Sequence, residues 1–277
     1  MEIDLETIIR SEPDAVVPGV RQHSAVPIRV VDGWQQEMWI FEPELQPESP
    51  HPALLFFHGG GFAVGHPNSG RDLAQYLALR CGMTTFSASY RLARPHHPTY
   101  PKPIEDVAAA WNWVQTYAAD WNVDPERLAT GGASAGACLS TLSLTKGLLP
   151  GVKAHICFWG PIDLIARWYD NGEKPGAERI LLGTNYQANP ALYHQASALT
   201  HVKPGLPPAA FIYGNQDKVV HPRQGRLGEA AWKQCGSHAE LHYFDNIGHG
   251  IEGDNTASMV QVIERAASFL EEQLIGQ

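Results

Sequence analysis

No stretch of the 277-residue chain is long and apolar enough to span a bilayer. Its first residues, Met-Glu-Ile-Asp-Leu-Glu, lack the basic start and apolar run of a signal peptide, so a cytoplasmic location is the default expectation. Basic residues are scarce as well: 20 Lys and Arg stand against 29 Asp and Glu, a net charge of −9. That balance argues against nucleic acid and anionic membranes as partners. Cysteine occurs at 81, 138, 157 and 235 only, without a C-x-x-C pair or regular spacing, and buried free thiols are the expectation. Despite 13 histidines there is no H-E-x-x-H motif and no Cys/His cluster, so neither His96-His97 nor the histidines at 194 and 201 suggest a metal site. No Gly-Lys-Ser/Thr follows any glycine-rich loop, which removes the phosphate cradle, and no cofactor is implied. Repeats and low-complexity tracts are also lacking.

What is present is a chain that can bury a large core, with 44% hydrophobic and 18% charged residues. Residues 26–31 and 37–41 predict two antiparallel strands joined at Asp32-Gly33. After a loop over 42–52 the pattern changes. Residues 53–57, Ala-Leu-Leu-Phe-Phe, form a continuous apolar run, the mark of a strand covered on both faces. Further strands are predicted at 84–88, 128–130, 152–158, 209–213 and 240–244. Helices are predicted at 71–80, 104–117, 135–145, 223–235 and 257–273. Such alternation implies βαβ crossovers and one α/β domain over 1–277, with a mainly parallel sheet of about eight strands and helices on both faces. Active sites in such sheets lie beyond the carboxyl ends of the strands, so the loops after Phe57, Thr130, Phe158, Tyr213 and Phe244 should converge.

The loop after Thr130 reads Gly131-Gly132-Ala133-Ser134-Ala135-Gly136, and Gly132, Ser134 and Gly136 match G-x-S-x-G. A sharp strand-to-helix turn of this kind holds a serine hydroxyl above the sheet at a helix N-terminus. Directly after residues 53–57 comes His58-Gly59-Gly60-Gly61-Phe62. Side-chain-free backbone there can aim the Gly60 and Gly61 amides at an oxyanion, with Ala135 as a third donor. His58 reads as a residue that holds the loop. A serine nucleophile needs a base and an orienting acid, here in the chain order Ser, acid, His. Asp217 follows the strand at 209–213, and His249 follows that at 240–244 in Gly248-His249-Gly250. Asp163 is the rival acid and reads instead as a turn residue.

Taken together, His58–Gly61, Tyr90-Arg91-Leu92-Ala93, Pro103-x-x-Asp106 and Gly132-x-Ser134-Ala135-Gly136 resemble the hormone-sensitive-lipase-like and feruloyl/acetyl-xylan-esterase-like α/β-hydrolases, over roughly residues 25 to 275. The resemblance implies an α/β-hydrolase fold and carboxylic ester hydrolysis. It assigns Ser134, Asp217 and His249 to the triad and Gly60, Gly61 and Ala135 to the oxyanion hole, and makes Arg91 and Asp106 a structural ion pair. Two positions depart from it. Ala133 stands where the lipase-like branch carries an acidic residue, and Ala137 replaces a common glycine, as also in kynurenine-formamidase-like relatives.

Trp111, Trp113 and Trp121 read as core, whereas Phe62, Trp159 and Trp168 follow sheet edges and are expected to line the substrate pocket. Relatives of the lipase-like branch usually carry an N-terminal helical cap. Here only 25 residues precede the first predicted strand, with at most a short helix over 5–10, broken by Pro13, Pro18 and Gly19. Residues 164–200, with Pro175, Gly176, Asn189 and Pro190, read as a partial lid of short pieces. A thin cover implies an open cleft and short acyl chains, with a carbohydrate-type alcohol as the guess for the other side. The partner expected is thus a small-molecule ester, with a homo-oligomer left open. The rival readings are an aryl formamidase and, from another class, a non-catalytic ligand receptor on the same fold.

Overall fold

The computed structural model describes residues 5–12, 15–250 and 256–276; Pro13, read as a helix breaker, lies outside them. Helix α1 (Leu5–Arg10) precedes a hairpin of β1 (Val20–Val31) and β2 (Trp34–Pro43). Asp32 and Gly33 close it at φ 51° and 73°, the left-handed pair whose twist matches that of the flanking strands. β1 begins six residues before its predicted start. Register shifts between His23 and Val26 and between Pro27 and Arg29, with Ala25 at φ 54°, break the alternation that would have betrayed it. Pro27 is tolerated because β1 is an edge strand.

From there strands and helices alternate: β3 (His51–Phe57), α2 (Arg71–Cys81), β4 (Thr84–Ala88), α3 (Lys102–Tyr117), β5 (Val123–Ala133), α4 (Ala135–Thr145) and β6 (Ala154–Phe158). Three short helices follow, α5 (Leu164–Asp170), α6 (Glu178–Leu182) and α7 (Pro190–Ala196), then β7 (Ala209–Gly214), α8 (Arg223–Gln234), β8 (Ala239–Phe244) and α9 (Thr256–Leu274). The eight strands form one sheet in the order β1-β2-β4-β3-β5-β6-β7-β8. β2 runs antiparallel to both β1 and β4, and every other pairing is parallel.

Every residue of β3, β4, β6 and β7 is buried, as continuous apolar runs require when helices cover both faces. β5 extends well past the predicted 128–130, because the two glycines that obscure its pattern are inside it. A Cβ on Gly131 would stand 2.6 Å from the Ile156 carbonyl of the neighbouring strand, so only glycine lets β5 and β6 approach. α1, α2 and α9 pack on one another, while α3 packs on α4 and α4 on β5 and β6. α4 is buried along all 11 residues. Its Ser140 and Thr141 hydroxyls turn back to the Ala137 carbonyl and Thr145 to that of Leu142, which satisfies polar groups that have no water. The helix behind Ser134 is therefore held rigidly in the core.

Asp106 on α3 is fully buried and holds the segment after β4. Its carboxylate accepts from Arg91 Nε at 3.0 Å, from the Arg91 amide at 2.8 Å and from Arg29 Nη2 at 2.7 Å. Removing one partner of such a network strands a buried charge, at a cost of about 3–5 kcal/mol. Trp111 is buried, with its indole N–H on the Pro150 carbonyl, and Cys138 and Cys157 are buried free thiols. Among the described residues no helix is long and apolar enough to cross a membrane.

Candidate active site

The five loops converge. Gly59–Phe62 after β3, Ala133–Ala135 after β5, Trp159 and Pro161 after β6, Val219 and Val220 after β7, and His249 after β8 all border one cleft of about 300 Å³. Ser134 sits at its floor with φ 51° and ψ −116°, a strained backbone for a residue with a side chain. The flanking glycines make the turn sterically feasible. A Cβ on Gly136 would lie 2.1 Å from the Phe57 carbonyl, and one on Gly132 would lie 2.5 Å from the Gly136 carbonyl carbon. Ser134 is also the residue before the first turn of α4, so the positive end of the helix dipole lies beside its oxygen.

Ser134 Oγ is 2.7 Å from His249 Nε2, and His249 Nδ1 is 2.8 Å from Asp217 Oδ2. The Asp217 side chain is fully shielded from solvent, and that of His249 is 15% exposed. Asp217 Oδ1 accepts from the Val219 and Val220 amides, both at 2.8 Å. With the carboxylate fixed by this turn, Oδ2 accepts a hydrogen bond from Nδ1–H of His249. That leaves Nε2 free to accept from the serine hydroxyl.

Across the cleft, Gly60 has φ 120° and Gly61 φ 56°. A Cβ on Gly60 would stand 2.0 Å from the Val64 carbonyl oxygen, which explains glycine there. Among the described residues, the Gly60, Gly61 and Ala135 amides donate to no protein acceptor. Unpaired N–H groups beside a serine are what an anionic oxygen requires. His58 lies behind the loop. Its Nδ1 donates to the Gly59 carbonyl at 2.7 Å, its ring stacks on Tyr90 at 4.5 Å, and the Tyr90 hydroxyl donates to the His58 carbonyl. Burial pushes the imidazole down to about 4, so it is neutral and unsuited to act as a base near neutrality.

Asp163 does not enter the series. Its Oδ1 caps α5 by accepting from the Ile165 and Ala166 amides, each at 3.0 Å. Phe62 and Trp159 border the cleft, both with positive φ, 67° and 37°. Trp168 does not border it, which corrects the expectation from its place after a sheet edge. Successive helical residues point about 100° apart, and on α5 it is the preceding residue, Arg167, that borders the cleft. The buried Trp168 ring faces Tyr186 instead, at 6.2 Å.

Arg167 and Glu178 are cleft residues that sequence reasoning missed. Arg167 Nε donates to Glu178 Oε2 at 2.8 Å, and the Gly176 amide donates to Oε1 at 2.8 Å. Arg167 Nη1 donates to the Val219 carbonyl at 2.7 Å, so the 164–200 segment is tied to the turn that holds Asp217. The one available signal was a lone cation in the otherwise uncharged start of α5, Leu-Ile-Ala-Arg-Trp-Tyr. Among the described residues no group of three or more His, Cys, Asp or Glu could hold a metal ion.

The fold is that of the α/β-hydrolases, and the Ser134–His249–Asp217 series has the geometry of a serine hydrolase's triad. The family model BD-FAE matches residues 38–230, and the chain belongs to that family. It is 29% identical to Esterase LipQ of Mycobacterium tuberculosis over 272 residues, covering 91% of this chain and 60% of that relative. It is 35% identical over 228 residues to Esterase LipI of the same organism, covering 76% of this chain and 69% of the relative. The chain thus spans less than two thirds of LipQ's length. Among solved structures, the apo form of Thermogutta terrifontis esterase 2 superposes with a TM-score of 0.76 at 27% identity, over 93% of this chain and 96% of that one. Other structures of that esterase are described as propionate bound, butyrate bound and phosphorylated by paraoxon.

Proposed function

We propose that the protein is a serine carboxylesterase acting on short-chain acyl esters through an acyl-enzyme. The observation that carries this reading is the unbroken series Ser134 Oγ–His249 Nε2–Asp217 Oδ2, at 2.7 and 2.8 Å. In the reaction His249 takes the Ser134 proton as the hydroxyl attacks the ester carbonyl, and Asp217 stabilises the imidazolium. The carbonyl oxygen, now anionic, settles on the Gly60, Gly61 and Ala135 amides. The tetrahedral species collapses with the C–O bond of the alcohol breaking, and His249 gives the alcohol its proton. Water then repeats the sequence on the acyl-serine, releasing the acid and restoring the serine.

Chain length follows from the size of the cleft and its cover. About 300 Å³, bordered by Trp159, Arg167, Ala177, Glu178 and Val220, holds a few acyl carbons and offers little apolar wall beyond them. Residues 164–200 act here as a partial lid. The propionate and butyrate complexes of the Thermogutta terrifontis esterase support the same range. A second, smaller cleft of about 200 Å³ shares His249 and is bordered by Gln216, Lys218 and Asn246. Its polar walls on the side of the proton donor suit a hydroxyl-rich, carbohydrate-type alcohol.

The test is a p-nitrophenyl ester series from acetate to decanoate, alongside acetylated xylan and methyl ferulate. kcat/KM is expected to peak between acetate and butyrate and to fall steeply beyond about six carbons, because each further methylene finds no apolar contact worth its usual ~0.8 kcal/mol. A maximum at decanoate, with activation at an oil–water interface, would refute the short-chain reading.

A further inference from the structure

The cleft wall formed by α5 and α6 carries a charge pair that the reaction does not use. Arg167 is 6% exposed and Glu178 is fully buried, yet both border the cleft that contains Ser134. A wall whose only task was to hold a saturated acyl chain would be apolar, since burying an ion pair costs several kcal/mol per ion before the pairing is counted. Glu178 is fully committed, one oxygen to Arg167 Nε and the other to the Gly176 amide. The guanidinium is not. Nε serves Glu178 and one Nη1 hydrogen serves Val219, but Nη2 donates to no acceptor among the described residues. Arg167 keeps 6% of its surface exposed and borders the cleft, so its guanidinium is within reach of a group bound there.

We propose that Arg167 is a specificity-determining residue that donates a hydrogen bond to a neutral acceptor oxygen on the acyl group of the substrate. This rests on the esterase reading above. At the tetrahedral carbon one substituent is Ser134 Oγ, the oxyanion takes the Gly60, Gly61 and Ala135 amides, and the leaving oxygen must stand within reach of His249 Nε2. The fourth substituent, the acyl carbon, is left with the remaining wall, to which Arg167, Ala177 and Glu178 belong. A neutral acceptor fits better than a carboxylate. Arg167 and Glu178 cancel in charge, so an anionic acyl group would face Glu178 and the developing oxyanion without a compensating cation. Acyl groups with an ether, hydroxyl or keto oxygen a few bonds from the carbonyl therefore match the site. A site built to donate such a bond also discriminates against the analogue that lacks the acceptor, because its donor is then left unpaired.

The experiment compares p-nitrophenyl 3-methoxypropanoate with p-nitrophenyl pentanoate, which differ by one oxygen for one methylene at equal length. Each kcat/KM is divided by the ester's own hydroxide-catalysed rate constant, which cancels intrinsic reactivity. The wild-type ratio should favour the methoxy ester by about tenfold, the worth of one charge-assisted hydrogen bond. In the double variant Arg167→Met/Glu178→Gln, which removes both charges at once, both rates fall and the ratio approaches one. Arg167→Lys, which keeps a cationic donor, should retain part of the preference. A wild-type ratio of one or below would overturn the assignment while leaving the esterase reading intact, and needs no variant to fold. A tenfold ratio that persists in a folded double variant would assign the acceptor contact to another group and likewise overturn it. Hydrolysis of neither ester by the wild type would overturn the esterase reading and this inference together.

Discussion

The cleft has two unlike sides. The side that carries Ser134, the glycine loop, Asp217 and His249 is built on the ends of buried parallel strands and on α4, a helix without an exposed residue. The opposite side, in residues 164–200, consists of helices of 5 to 7 residues, held by the Asp163 cap, by the Arg167–Glu178 pair and by the Arg167–Val219 bond. The Ser134–His249–Asp217 series stands on rigid core, while the residues proposed to select the substrate stand on short pieces pinned by polar contacts. Changes on the first side should therefore cost turnover, and changes on the second should alter preference or stability.

The largest effect belongs to the nucleophile. Ser134→Ala should lower kcat on p-nitrophenyl acetate by about 10⁴ or more and abolish labelling by a fluorophosphonate, with an unchanged circular dichroism spectrum. Labelling that survived would place the nucleophile elsewhere. The two aspartates sharpen the contrast. Asp217→Asn favours the wrong His249 tautomer and should cost about 10³–10⁴ in kcat. Asp163→Asn, on the cover, should leave turnover near the wild-type value, since asparagine caps a helix about as well as aspartate. A reversed ranking in steady-state kinetics would contradict both assignments.

A smaller effect concerns pH and the rigid side alone. Burial pushes His58 and His155 each down to about 4. His155 lies under α4, with Nδ1 on the Thr130 carbonyl and Nε2 against Thr141 Oγ1. Below about pH 6.5 the unfolded chain takes up protons at both positions that the folded chain does not. Stability should therefore fall as the pH drops from about 6.5 to 4, and level off below that as far as these two groups are concerned. Thermal unfolding measured across this window should show a shallower slope for His155→Gln than for the wild type. An equal slope would remove His155 from the balance. The smallest effect is none at all: dialysis against EDTA should leave kcat/KM on acetate esters unchanged, and a metal-reversible loss would break the proposed mechanism.

Much of the rigid side was legible from sequence because its signals are local. Residues 53–57 carry their burial in an unbroken apolar run. Gly132 and Gly136 of G-x-S-x-G and Gly60 of His-Gly-Gly-Gly stand where a Cβ would collide with backbone. β1 and β5 were legible only in part, since bulges around Ala25 and the glycines at 131 and 132 interrupt the period on which a strand is recognised. Trp168 was misplaced because position after a sheet edge does not say which face of a short helix turns inward.

By itself, then, the sequence determined the alternation of strands and helices, the tight turn at Ser134 and the order of serine, acid and histidine, all of which depend on neighbours in the chain. Only the tertiary structure decided which aspartate faces His249, because Asp217 and Asp163 both follow strands and differ only in what their carboxylates meet: an imidazole in one case, two amides of α5 in the other. It alone brought Arg167 and Glu178 together and set them in the cleft. They lie 11 residues apart on separate short helices, and a contact made across a loop leaves no period in the sequence to reveal it.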